Sequence, residues 1–241
     1  FDNENGELWS KATLYRALLG WYEYRKDPVL LTAIEKAVKN VMQHYPVNQS
    51  HPFYSVNPNA GGLTHGLAFT DVLEQLYLHT KKQDYLDYCL FLYKDFSAQL
   101  LNEDAQYKKL MQADLPLYGH GVHTYEHLRS VTAAYYASGN PGIKTALDHF
   151  IRKIKRATTP SGAPAGDEFA GGRPGDATDT GYEFCSLHEL MAGWISLLEK
   201  TGDPAYGDQA EKILFNAAAG ATHPEQSAIC YLKTDNTYIL T

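Results

Sequence analysis

The chain has 241 residues, 44% hydrophobic and 20% charged, with a formal net charge of −7. That length suits one large domain or part of one, and the acid excess argues against nucleic acid, whose partners present a basic face. No apolar run reaches the roughly 20 residues that cross a bilayer, so membrane insertion is not expected.

The three cysteines, Cys89, Cys185 and Cys230, are too few and too scattered for a disulfide framework. Cys89, in "DYCLFLY", lies on an apolar helix face and reads as core. Eighteen tyrosines against nine phenylalanines supply rings with a wet tip, which serve sugar clefts and helix interfaces alike.

In chain order, helical periodicity covers residues 7–25, 28–43, 63–80, 83–100, 120–138, 141–156, 183–201 and 204–220. Leu14, Leu18, Trp21 and Tyr22 form the apolar stripe expected in the first helix; Leu190, Trp194, Leu197 and Leu198 form that of the seventh. Four marks punctuate the pattern: "YRKDPVLL", "TKKQDYLD", "ASGNPGIK" and "KTGDPAYG". A polar cap residue, often followed by proline, ends one helix and starts the next. The marks recur at roughly 60-residue intervals, the signature of an open helical solenoid or a closed toroid of helix pairs.

Connections inside the hairpins are short, whereas those between hairpins, 43–63, 100–119 and 157–182, are long. Loops of that length in a compact domain usually carry function. The lead-ins to the odd helices read "NENGELW", "NAGGLTHG", "LYGHGVHTYEH" and "DTGYEFCSLHE". Each sets glycine before a titratable residue at a helix start: Glu7, His65, His120 and Glu183. Glycine permits close backbone approach to a ligand, and a helix N-terminus favours carboxylates and lowers a thiol pKa. The expectation is a toroid whose loops gather at one end around a pocket.

Glu183 and Cys185 can converge on one ion at a frayed first turn, and thiolate plus carboxylate suits zinc. On spacing alone, a buried cysteine beside a capping glutamate is the better reading. His123 and His127 have the i, i+4 spacing of a metal pair but lack the glutamate of a metalloprotease motif. The loop "GAPAGDEFAGGRPGDATDTG" places Asp167 and Glu168 upstream of Glu183. A carboxylic acid there can protonate a glycosidic oxygen and later activate water; the same acidic loop can also be plain solvated surface.

With these motifs assembled, the chain resembles glycoside hydrolase family 127, the β-L-arabinofuranosidase-like enzymes. "GDEF" (Gly166–Phe169) is similar to that family's "GEAF", "EFC" (Glu183–Cys185) to its "ETC" at the same 16-residue offset, and "GHGVH" (Gly119–His123) to its "GHAVR". "KTGDPAYG", and His65 ahead of "LEQLYLHTKKQDYLD", complete the likeness. The resemblance implies an all-α toroid of (α/α)₆-barrel type over residues 1–222, incomplete, with a β-like tail over 223–241. It implies a retaining hydrolase of carbohydrate in which Glu183 and Cys185 bind Zn²⁺ in the complete protein. Asp167, or Glu168 if the loop slips by one, is then the acid/base, and His65 and His120 contact the sugar; His123 and Tyr182 are assigned to the same substrate set.

The family's nucleophile comes from a Cys-Cys pair that has no counterpart up to Thr241, so the chain is expected to be a fragment, inactive by itself and short of a full zinc site. Polysaccharide-degrading bacterial members point to periplasm or export, and the oligomeric state is unknown. Two other readings stay open. One is a metal-free (α/α)₆ inverting hydrolase or polysaccharide lyase, with Asp176 and Asp179 partnering Glu168. The other is a non-catalytic helical-repeat binding scaffold.

Overall fold

The structure is a computed structural model that describes residues 6–223 and 225–236. It divides into two compact units. The first comprises residues up to Asn102 with Ala133–Ile143; the second comprises Glu103–Thr132 and the residues from Lys144 onward.

In the first unit, α1 (Glu7–Arg25) is followed by α2 (Pro28–His44), then by the short α3 (Gly61–Thr64), α4 (Phe69–Thr80) and α5 (Gln83–Ala98). Asp27 caps α2 by accepting from Val29 N at 2.9 Å, with Pro28 in the first turn, as the sequence predicts. The mark before α5 works differently. Lys81 takes the left-handed conformation that ends α4, and Asp84 sits inside the first turn of α5 rather than capping it, where its charge still meets the positive end of the helix dipole.

The helix expected over 63–80 is broken, with residues 65–68 winding as a 3₁₀ turn between α3 and α4. Gly61, Gly62 and Gly66 explain this, because glycine in a helix interior costs about 1 kcal/mol against alanine. A Cβ on Gly66 would lie 2.9 Å from Leu8 Cβ, so the break also lets α1 pack close.

The apolar stripe expected on α1 is on the wrong face. Leu14 and Trp21 are more than half exposed, while Leu8, Ala12, Tyr15 and Leu19 are buried. Apolar residues occupy both faces of this helix, so periodicity could not choose between them. The core behind it holds Phe69, Leu73, Leu76, Tyr85, Leu92 and Phe96, with Phe53 edge-on to Phe96 at 5.5 Å. Cys89 is core as expected, its Sγ 3.6 Å from Thr70 O.

The second unit contains α6 (Tyr107–Leu110), a single turn inside the connection before α7 (Gly121–Ser138), most of α7, and most of α8 (Pro141–Arg156). β1 (Tyr182–Glu183), α9 (Phe184–Thr201) and α10 (Pro204–Lys212) follow; α10 runs on as a π-helical stretch, Ile213–Ala218, and β2 (Leu232–Lys233) ends the described elements. Gly193 of α9 has Leu128 of α7 where a Cβ would stand, 2.8 Å away, so these helices pack at close range. Leu190, Trp194 and Leu197 are buried, the stripe the sequence assigned.

The β-like tail takes the form of β2, antiparallel to β1 with Glu183 opposite Leu232. Asp235 accepts from Ser161 N at 3.0 Å and from Thr159 Oγ1 at 3.2 Å. The rest of the expected β-like tail, 237–241, lies outside the described residues, as do the first five residues of the chain.

The reassignment of the α1 face is open to test by urea unfolding. Leu19→Ala should cost about 2–5 kcal/mol, whereas Leu14→Ala should stay within about 0.5 kcal/mol of the parent.

Candidate functional site

The second unit gathers its titratable side chains where α7 begins. Asp104 in the preceding connection accepts from Tyr118 N at 3.0 Å, Gly119 N at 2.7 Å and Thr124 Oγ1 at 3.0 Å. Burial pushes its carboxyl above the usual range against the pull of these donors. Beside it, Glu103 meets His123 Nδ1 at 2.9 Å and His127 Nδ1 at 3.8 Å. Burial alone would lower the His123 pKa, but Glu103, with Glu126 and Glu183 nearby, carries it above the ordinary value.

The acidic loop returns across this turn. Gly121 N donates to Glu168 O at 2.8 Å, and Ala170 N donates to Gly119 O at 2.9 Å. Gly166 adopts φ 152°, and a Cβ on it would lie 2.8 Å from Gly121 Cα. The glycines before His120 and Glu183 were expected to admit a ligand; a Cβ on Gly119 would instead meet Asp104 Oδ2 at 3.1 Å and one on Gly181 the Asp167 carboxylate, so the close approach is by the chain's own side chains. In the first unit Gly6 is also approached from within the chain, since a Cβ there would meet Gly62 O at 2.5 Å.

This crossing brings Glu168 to His120, with Oε2 3.1 Å from Nε2. Glu168 Oε1 accepts from the Tyr231 hydroxyl at 3.1 Å. Glu168 is a non-glycine residue at φ 91°, a strained conformation that such sites often hold. Its carboxyl is half exposed. The ring of His120 lies 4.5 Å from that of His123 and edge-on to Phe169 at 5.5 Å.

Asp167, the neighbouring candidate acid, is taken by an ion pair with Arg173, which also donates to Phe169 O at 2.6 Å. That pair holds the Arg173 guanidinium above its usual pKa. Asp176 and Asp179 stay in their own loop. Asp176 Oδ1 accepts from Thr178 N at 2.7 Å and Asp179 N at 3.2 Å, which lowers its pKa through Thr178 first.

Glu183 is fully buried as the residue just before α9. Ser186 Oγ stands 3.4 Å from its Oε1, and among the described residues no hydrogen-bond partner reaches its Oε2. Tyr231 faces Glu183 as well as Glu168, and the two carboxylates together raise its pKa. Cys185 follows at half-burial. Its thiol was expected to be acidified by the helix end; burial, and then Glu183, push it up to about 12 instead. An orphaned buried carboxylate oxygen beside a thiol forced neutral is a donor pair that suits a soft divalent cation. Among the described residues no third histidine, cysteine, aspartate or glutamate joins them to make a metal-holding group.

Tyr182 does not join the site. It lies in β1 at 1% exposure, under the Lys233 ammonium and beside Ser161 and Asp235. Glu7 and His65 belong to the first unit. There Glu7 pairs with Lys11 and receives Tyr45 OH at 3.4 Å, while His65 stacks on Trp9 at 4.2 Å. Sequence reasoning missed Glu103 and Tyr231. Glu103 stands in a connection without periodicity, where the adjacent acids "ED" are the one signal the sequence offers.

The sequence profile of the β-L-arabinofuranosidase GH127 catalytic domain matches residues 2–235. A solved structure described as a glycoside hydrolase is 17% identical, with a TM-score of 0.76, over 97% of this chain and 42% of its own. The GH127 β-L-arabinofuranosidase from Geobacillus stearothermophilus T6 is 15% identical, with a TM-score of 0.75, over 96% of this chain and 39% of its own. Cellobiose 2-epimerase from Bacillus thermoamylovorans B4167 is 12% identical, with a TM-score of 0.63, over 97% of this chain and 66% of its own. No curated protein sequence matches. These likenesses establish the fold, helical hairpins of the (α/α)₆-barrel type, and the chain spans well under half the length of the two glycosidases.

The neutral thiol has a measurable consequence. Alkylation of Cys185 by iodoacetamide in chelator-treated protein should be slow at neutral pH and keep rising towards its pKa of about 12. Glu183→Gln removes a negative neighbour that opposes the thiolate, so it should lower that pKa and speed alkylation at neutral pH. Unchanged kinetics in Glu183→Gln would show that the two groups do not interact.

Proposed function

The chain belongs to the GH127 β-L-arabinofuranosidase catalytic-domain family, and on that premise we propose that it carries the acid–base machinery of a glycoside hydrolase acting on an arabinofuranose-type glycan. The observation that carries this reading is Glu168, held between His120 Nε2 and Tyr231 OH, each at 3.1 Å, with its carboxyl still open to solvent. Glu168 protonates the departing glycosidic oxygen, then takes a proton from the water that releases the sugar. His120 and Tyr231 aim the carboxyl by occupying one oxygen each. Asp167 serves a different end: its carboxylate is tied to Arg173, which makes it a loop brace.

Glu183 and Cys185 would hold zinc in the complete protein, alongside ligands supplied elsewhere. When bound, that ion supplies the positive charge that keeps a neighbouring thiol ionised at neutral pH. Cleavage with retention of anomeric configuration follows from a thiolate nucleophile. The substrate class rests on the family profile.

The test uses the full-length protein and an arabinofuranose disaccharide. Glu168→Ala should lower kcat/KM by about 100-fold or more, with Asp167→Ala losing far less. Proton NMR of the first-formed product should show retained configuration. Equal, mild losses in both variants would remove Glu168 from the acid/base role, and inverted product would transfer the reading to a two-carboxylate mechanism.

A further inference from the structure

We propose that Glu103 is a positioning residue for the imidazoles at the start of α7, setting the orientation of His120, and hence of Glu168, through His123. The inference rests on the acid–base reading of Glu168 for its kinetic consequence alone; its structural content stands separately.

Glu103 is buried at 4% exposure, so it does not meet a substrate itself. Its two carboxylate oxygens face two histidines one helical turn apart, His123 Nδ1 at 2.9 Å and His127 Nδ1 at 3.8 Å. A carboxylate on Nδ1 places the ring proton there and leaves Nε2 as the acceptor in the neutral ring. The bond thereby selects the tautomer of His123 as well as the plane of its ring. His120 lies against that plane, with centroids 4.5 Å apart and a tilt of 34°. Nε2 of His120 in turn meets Glu168 Oε2 at 3.1 Å. The path from Glu103 to Glu168 therefore runs through one hydrogen bond, one ring contact and a second hydrogen bond.

The anchoring of Glu103 fits this role. Its neighbour Asp104 is fixed by two backbone amides and the Thr124 hydroxyl, all within the first turn of α7 or just before it. The two adjacent acids thus act on the same turn: Asp104 grips the backbone and Glu103 holds the His123 ring by a hydrogen bond, with the His127 ring 3.8 Å from its other oxygen. A carboxylate that merely filled the core would need neither the second imidazole nor an origin in the loop that fixes the turn.

The experiment is long-range ¹H–¹⁵N correlation of the histidine rings in the full chain, at a pH where the rings are neutral, with assignments from single His→Gln variants. In the parent protein His123 should carry its proton on Nδ1. Glu103→Gln keeps an acceptor and should preserve that tautomer. Glu103→Ala should shift His123 to the Nε2–H form and also move the resonances of His120, whose ring lies on that of His123. In full-length protein Glu103→Ala should lower kcat about ten- to hundredfold, with KM nearly constant and activity recovered in Glu103→Gln.

An Nε2–H ring at His123 in the parent overturns the proposal. So does a Glu103→Ala spectrum in which His120 is unmoved, since the pair would then be structural only. If the alanine variant does not fold, the parent and Glu103→Gln tautomers decide, and Nε2–H in either is fatal. Should the ring tautomers come out as expected while full-length protein cleaves no arabinofuranoside, the hydrolase reading fails and the positioning role remains.

Discussion

Three hydrogen bonds to the buried carboxylate of Asp104 fix the turn from which the rest of the second unit's chemistry is hung. A bond to a charged group contributes about 1.5–3 kcal/mol, and an ionised carboxylate out of water needs several. Burial still raises the Asp104 pKa, so the donors offset the desolvation without erasing it. What the bonds secure is geometry. With Tyr118 N and Gly119 N held, the carbonyl of Gly119 receives Ala170 N and the amide of Gly121 reaches Glu168 O. The acidic loop is thereby stitched to the start of α7, and Glu168 arrives beside His120.

The helices supply spacing and the connections supply chemistry. Where α7 and α9 pack through Leu128 and Gly193, side chains are apolar and the geometry is rigid. The polar groups come from the ends: Glu103 and Asp104 from the loop ahead of α7, Glu168 from the loop ahead of β1, Glu183 and Cys185 from the start of α9, and Tyr231 from the segment before β2. Adjacent residues have opposite employment. Asp167 is tied to Arg173, whereas Glu168, one position on and at φ 91°, turns to His120 and Tyr231. A one-residue difference in a glycine-rich loop decides which carboxyl faces the imidazole.

Much of the helical framework was legible, because Asp27, Asn140 and Asp203 do cap the helices they precede. Their short polar side chains bind amides that would otherwise lack partners. Less legible was anything that pattern alone leaves degenerate. The α1 helix carries apolar residues on both sides, so Leu14 and Trp21 were as good a stripe as Leu8 and Leu19. The glycines at 6, 119 and 181, each set before a titratable residue, marked close approach, but a sequence cannot say that the approaching group is another part of the same chain. Glu183 and Cys185 were flagged by their spacing at a helix start. Glu103 and Tyr231 lie in segments with no period, and their relation to His123 and Glu168 exists only in three dimensions. The rise of the Cys185 pKa had the same origin: a helix end should acidify a thiol, but burial and an adjoining carboxylate outweigh it.

Amide hydrogen exchange in Asp104→Ala tests most directly whether this turn organises the site. Fast exchange should appear at Tyr118 and Gly119, which lose their acceptor, and also at Gly121 and Ala170, which donate to Glu168 O and Gly119 O rather than to Asp104; the amides of α8 should keep their protection. If Gly121 and Ala170 stay as protected as in the parent, the acidic loop is held in place by something other than Asp104, and the account of the site built on that carboxylate is wrong.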